Sequence, residues 1–217
     1  MNRLILIVLV VCFIGLPAAA ADRFIDLTGY ATWVDANSEG TFNSANPNQP
    51  FDVSFDGKLG YGAGVNVFFG NRLSFELAAA AVKQGVNFTG RVRPANATGG
   101  DLNMVPITGV LQFHFLPNGT IDPYIGAGAA YVLFDNVDNP DDFGDLNVRS
   151  LDFKDDVGLA LNAGVAFAIS PRLAINVDGK YVPIKSSATA VFVTGPDTTA
   201  RVKINPVIFS AGLSLRF

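Results

Sequence analysis

The sequence predicts an all-β fold, a closed eight-stranded antiparallel transmembrane barrel of the outer-membrane type. Three observations predict it. Eight segments alternate apolar and mixed residues with a period of two, so each has one oily face. Three short turns and four long polar stretches separate them in strict alternation, as in bacterial barrels with short periplasmic turns. The chain also stops on such a strand, with Val207, Phe209, Ala211, Leu213, Leu215 and Phe217 on one face.

The first 21 residues read as a signal peptide, and residues 22–217 as one barrel domain. Asn2-Arg3 is a short positive start, and residues 4–16 form an apolar run. Pro17 breaks the run, and Ala19-Ala20-Ala21 fits a cleavage site before Asp22. The run is shorter than the ~20 residues a spanning helix needs. The lone cysteine, Cys12, lies inside it, so the mature chain has no thiol for a disulfide, a zinc site or catalysis. Without Arg3, Lys+Arg fall from 15 to 14 against 19 Asp+Glu, a net charge of −5, and no basic tract suits nucleic acid. Hydrophobic residues make up 49% of the chain but never form a second long block, which suits alternating strands.

The strands follow in order. Strand one, 24–34, sets Ile25, Leu27, Gly29, Ala31 and Trp33 against Asp26, Thr28, Tyr30 and Thr32. Strand two is 57–69 and strand three 73–82, joined by the tight turn Gly70-Asn71-Arg72. Strand four, 104–115, carries Pro106, which cannot donate a ladder bond. A turn at 116–122, built on Pro117-Asn118-Gly119, leads to strand five, 123–134. Strands six, 157–169, and seven, 173–182, flank Ser170-Pro171-Arg172. Strand eight is the terminal one. The long loops, 35–56, 84–103, 135–156 and 183–203, then face the outside, and both termini face the periplasm. A soluble lipocalin-type barrel would be apolar inside and polar outside. Here the mixed face holds Asp26, Asn66, Glu76, Gln112, His114, Asn162, Asp178 and Arg216. The wholly apolar face must therefore meet lipid. Outward aromatics such as Trp33, Tyr61, Phe75, Phe115, Tyr131 and Phe217 cluster toward strand ends, as interfacial girdles require.

Strand direction sorts the inward residues by height. The lower half is polar, with Asp26, Glu76, Gln112, His114 and Arg216 as a lumen plug. The upper half is apolar, with Met104, Val132, Phe134, Val182 and Ile208 lining a cup; Lys58 and Lys180 are exceptions there. A polar plug under an apolar cup suits an outward-opening pocket for an oily molecule. The alternative is that apolar side chains simply fill the upper barrel, which an eight-stranded barrel allows. Asp26 and Arg216 stand on neighbouring strands and are expected to pair, with Glu76 across the lumen; a catalytic carboxylate pair is the competing reading.

Other motifs carry less. His114, the single histidine, has Ser74 and Ser214 on inward positions of other strands, but neither serine lies in a nucleophile motif. The acidic third loop lacks the ligand register of a calcium loop, so no metal is expected. Gly60-Tyr61-Gly62-Ala63-Gly64 and Gly126-Ala127-Gly128 precede no helix and cannot cradle phosphate. Neither a cofactor nor an enzymatic activity is expected.

The segments Val105-Pro106-Ile107-Thr108-Gly109 through Phe115, Asp122-Pro123-Tyr124-Ile125-Gly126-Ala127-Gly128, Gly179-Lys180-Tyr181 and Asn205-Pro206 through Phe217 make the chain resemble the OmpW family of outer-membrane proteins. The resemblance implies a narrow conduit for small, often hydrophobic molecules, and colicin or phage contact in some members. The Gly-rich alternation alone fits OmpX- or opacity-type barrels equally, whose role would be surface interaction around a sealed lumen. The expected partners are outer-membrane lipids and lipopolysaccharide, the barrel-assembly machinery through Phe217, and small hydrophobic solutes leaving sideways into the bilayer.

Overall fold

The computed structural model describes residues 23–42, 51–90, 96–134, 137–138, 148–192 and 197–217. The predicted leader lies outside them, as do Asp135, Asp141, Asp142 and Asp145 of the acidic loop. Among the described residues there are twelve strand segments: β1 (Ile25–Phe42), β2 (Phe51–Asp56), β3 (Lys58–Phe69), β4 (Leu73–Gly90), β5 (Asn96–His114), β6 (Ile121–Phe134), β7 (Val137–Asp138), β8 (Val148–Phe153), β9 (Asp156–Ser170), β10 (Leu173–Tyr181), β11 (Ile184–Phe192) and β12 (Thr198–Arg216). Eight of them close the barrel in the order β1-β3-β4-β5-β6-β9-β10-β12, all antiparallel, and β12 returns to β1.

The closing ladder runs from Asp26 opposite Arg216 to Glu39 opposite Lys203. Its periplasmic end is locked by the last residue. Phe217 N donates to Ile25 O (2.9 Å), while Phe217 O accepts from Phe24 N (2.7 Å).

The alternation is realised as predicted. Leu59 is 76% exposed and Tyr61 69%, whereas Val34 and Val132, on the opposite face, are fully buried. Exposed apolar residues around the whole wall would aggregate a soluble barrel; in a bilayer they meet acyl chains. Lumen glycines make room for lumen side chains. A Cβ on Gly164 would lie 2.5 Å from Tyr124 Oη, and one on Gly212 would lie 2.8 Å from Tyr30 Cδ1. Gly70, at φ 74°, supplies the left-handed residue of the first turn.

The loops differ from expectation. Much of the stretches 35–56, 84–103, 135–156 and 183–203 is strand, because the ladders continue beyond the apolar band. β4 and β5 pair as far as Thr89 opposite Asn96. β2 and β3 follow one another with only Gly57 between them, β8 and β9 with only Lys154 and Asp155, and β10 and β11 with only Val182 and Pro183. The register is unbroken across the last junction, where Tyr181 opposes Val207 and Ile184 opposes Ile204. Lipid-facing alternation stops where lipid stops, but backbone pairing needs no apolar face. The turn at 116–122 is also shorter than expected. β6 starts at Ile121, which places Asp122 inside the barrel.

Candidate functional site

The lumen carries one hydrogen-bonded column, built from inward positions of seven strands and from Arg23, two residues before β1. Its upper end is an ion cluster. Lys180 on β10 lies 2.8 Å from Glu76 Oε1 on β4 and 2.8 Å from Asp178 Oδ2. Lys180 is also within 5.7 Å of the Tyr30 ring. All three charged side chains are almost wholly buried. Gln112 on β5 joins this cluster to the layer below. Its Nε2 donates to Glu76 Oε2 (3.0 Å) and to Asn162 Oδ1 (2.8 Å), while its Oε1 accepts from Asn66 Nδ2 (2.8 Å).

Below Gln112, Ser74 Oγ lies 3.0 Å from His114 Nε2, and His114 Nδ1 lies 2.8 Å from Asp122 Oδ2. The periplasmic mouth is closed by Arg23. Its guanidinium grips Asp26, donates to Asp122 Oδ2 (2.9 Å), and sits 4.1 Å above the Phe68 ring. Arg216 Nε stands 3.9 Å from Asp26 Oδ2, an ion pair without a hydrogen bond.

Thus all five plug residues, Asp26, Glu76, Gln112, His114 and Arg216, are buried in the lumen. The Asp26–Arg216 pair forms as expected. Glu76 does not join it; it belongs to the higher cluster, because the four-carbon stem of Lys180 brings that ammonium down from its strand position. Sequence reading missed Arg23, which precedes the first strand, and Asp122, which was placed in a turn. Extending the alternation of strand five back from Tyr124 by two residues would have turned Asp122 inward.

Ser74, His114 and Asp122 repeat the order of contacts in a serine-hydrolase triad, which the sequence hides because they stand on three strands. All three are buried: Ser74 is fully covered, and Phe68 packs on the imidazole at 5.0 Å between ring centroids. They form a structural relay of hydrogen bonds in the plug.

The apolar half is also packed. Met104, Val132, Phe134, Val182 and Ile208 are all buried, together with Val34, Val82, Leu102 and Ile204. Just above Lys180 lies a cavity of ≈ 20 Å³, room for about one water molecule. Ala78, Ala80, Pro106 and Ile208 give it apolar walls. Tyr30, Thr32, Thr108, Lys180 and Ser210 give it polar ones. The cavity also touches Ala79, whose side of the wall is the outer one. At this height the β4–β5 ladder is interrupted: Ala79 opposes Ile107 and Val82 opposes Met104, but no pairing joins Ala80 and Ala81 to Val105 and Pro106. On its other edge β5 pairs without interruption from Met104 to His114. The missing proline N–H therefore weakens the pairing on the β4 side alone, while the register is the same on both sides of the gap. Pro206 stands at a similar two-pair gap, between Tyr181 opposite Val207 and Ile184 opposite Ile204, but there its carbonyl still accepts from Val182 N at 3.0 Å.

Comparison with known proteins places this architecture. The chain is 29% identical over 167 residues to the outer-membrane protein y4mB of Sinorhizobium fredii, covering 76% of this chain and 69% of that protein. It is 25% identical to outer membrane protein W of Vibrio cholerae, covering 78% of this chain and 79% of that one. The fold matches the crystal structure of the outer membrane protein OprG from Pseudomonas aeruginosa with a TM-score of 0.75. That match has 19% identity and covers 90% of this chain and 96% of the other. The OmpW family model matches residues 24–217, nearly all of the predicted mature chain, and this outer-membrane barrel belongs to the OmpW family.

Proposed function

We propose that this barrel is a conduit for small hydrophobic molecules, which enter its apolar upper half from outside and leave sideways into the bilayer. The observation that carries this reading is the interrupted β4–β5 ladder beside Pro106, with a cavity directly behind it. Passage straight down is opposed by the column from Lys180 to Arg23, whose groups bond to one another and fill the lumen. Breaking those bonds would strand buried polar groups at about 1–3 kcal/mol each. The route through the wall crosses only a stretch that is already unpaired. Met104, Val132, Phe134, Val182 and Ile208 line the path above the cavity and part to admit the solute.

A second reading, a surface-interaction barrel with a sealed lumen, is favoured by the burial of those same five residues and by the small size of the cavity. Uptake of a hydrophobic solute by whole cells separates the two. In the conduit reading, Val132→Asp and Ile208→Asp cut uptake while the barrel still folds, and Arg216→Gln does not raise it. Unaltered uptake in both aspartate variants supports the sealed lumen, and a large rise with Arg216→Gln supports a straight pore.

In either reading Ser74, bonded to His114, serves the plug, since its full burial keeps a substrate carbonyl away from it. Phe217 acts as the recognition end for the barrel-assembly machinery, and lipids and lipopolysaccharide surround the wall.

A further inference from the structure

The cavity behind the wall gap is not uniformly oily, and this sets what it accepts. Its floor is Lys180, and Thr32, Thr108 and Ser210 add three hydroxyls beside the apolar Pro106. An ammonium has three N–H donors. Those of Lys180 meet Glu76 and Asp178 below, and its side chain also lines the cavity. An oxygen seated in the cavity therefore comes against a donor-bearing floor. The cluster below has two carboxylates against one ammonium, so its net charge is negative or, with one carboxylate protonated, zero. In a lumen of low dielectric this gives an incoming anion no net attraction, and the ionised cluster repels it. A pure hydrocarbon meets the opposite penalty: it covers the floor donors without accepting from them.

The geometry points to a neutral amphiphile as the ligand class, a molecule with one hydrogen-bond-accepting oxygen on an alkyl tail, such as a ketone, aldehyde, ester or alcohol. Its oxygen takes the space of one water over Lys180, and its tail lies between Pro106 and the unpaired Ala80 and Ala81. This assignment rests on the conduit reading and narrows it: the barrel sorts oily molecules by whether they carry such an oxygen.

The test compares initial uptake by cells that make the protein with uptake by cells that lack it, using three probes of equal chain length: octan-2-one, n-octane and octanoate. Octan-2-one should show the largest protein-dependent increment, exceeding that of n-octane by roughly threefold to tenfold for each hydrogen bond made in the cavity. Octanoate should show none. Thr108→Val/Ser210→Ala removes two hydroxyls and leaves the ion cluster intact. It should close the gap between the two probes, lowering octan-2-one and, by removing donors that a hydrocarbon leaves unmet, raising n-octane. If the wild-type protein raises octan-2-one and n-octane equally, or raises octanoate, the ligand class is wrong and the conduit stands. If it raises none of the three, the conduit reading falls as well. The wild-type ranking decides the matter even where the double variant fails to assemble.

Discussion

Lys180 and Glu76 meet across the lumen, Nζ to Oε1 at 2.8 Å, from strands that share no ladder. The contact ties opposite walls of the barrel together. Removing the ammonium leaves two buried carboxylates facing each other, so Lys180→Met should destabilise the barrel by about 3–5 kcal/mol. Lys180→Met/Glu76→Gln/Asp178→Asn removes all three charges and should recover most of that loss. Urea midpoints of gel-shift unfolding check both. A single variant as stable as the wild type would mean that the cluster holds nothing together.

Arg23 and Asp122 form the periplasmic bolt, with Asp26 as its second anchor. A double-mutant cycle on Arg23→Ala and Asp122→Ala should return a coupling of about 1.5–3 kcal/mol, the range of charge-assisted hydrogen bonds. Solute uptake should not rise in Arg23→Ala, because the route leaves the lumen above this level.

Pro106→Val supplies the N–H that the β4–β5 ladder lacks. One added hydrogen bond contributes about 1 kcal/mol. Amide exchange at residues 79–82 should slow, and uptake of a hydrophobic solute should fall. Slower exchange with full uptake would move the exit to another part of the wall.

Phe217 has two separable roles: its backbone caps the closing ladder, and its ring stands at the periplasmic surface. Deleting it should reduce both the yield of heat-modifiable barrel and the stability of what assembles. Phe217→Ala keeps the backbone bonds and should reduce yield alone. Equal stability loss in the two variants would show that the ring, not the cap, fastens the seam.

Strand number, facing and closure were legible in the sequence because a bilayer imposes a period-two code over the whole wall. Leu59, Tyr61 and Ala63 against Gly60, Gly62 and Gly64 is enough to orient β3. Two things were not legible. The strand extensions above the membrane, such as β4 beyond Val82, are paired by backbone groups that leave no hydrophobic pattern. The partners inside the lumen depend on side-chain reach. Glu76 and Arg216 look level by residue count, yet the long Lys180 side chain captures Glu76 and the shorter route to Asp26 goes to Arg23. Strand positions give height to within a residue or two, and a lysine spans more than that.

The seam between β1 and β12 has a kinetic consequence. Each of the other seven ladders of the barrel wall joins strands that follow one another along the wall in chain order, but this one joins the first wall strand to the last, Asp26 to Arg216. Loop-closure entropy makes such a contact slow to form. Until it forms, two strand edges lie bare in lipid, each unpaired group costing several kcal/mol. A partly zipped barrel is therefore not a resting place. Insertion and closure must coincide, and the arrival of the carboxyl-terminal strand sets the clock for both.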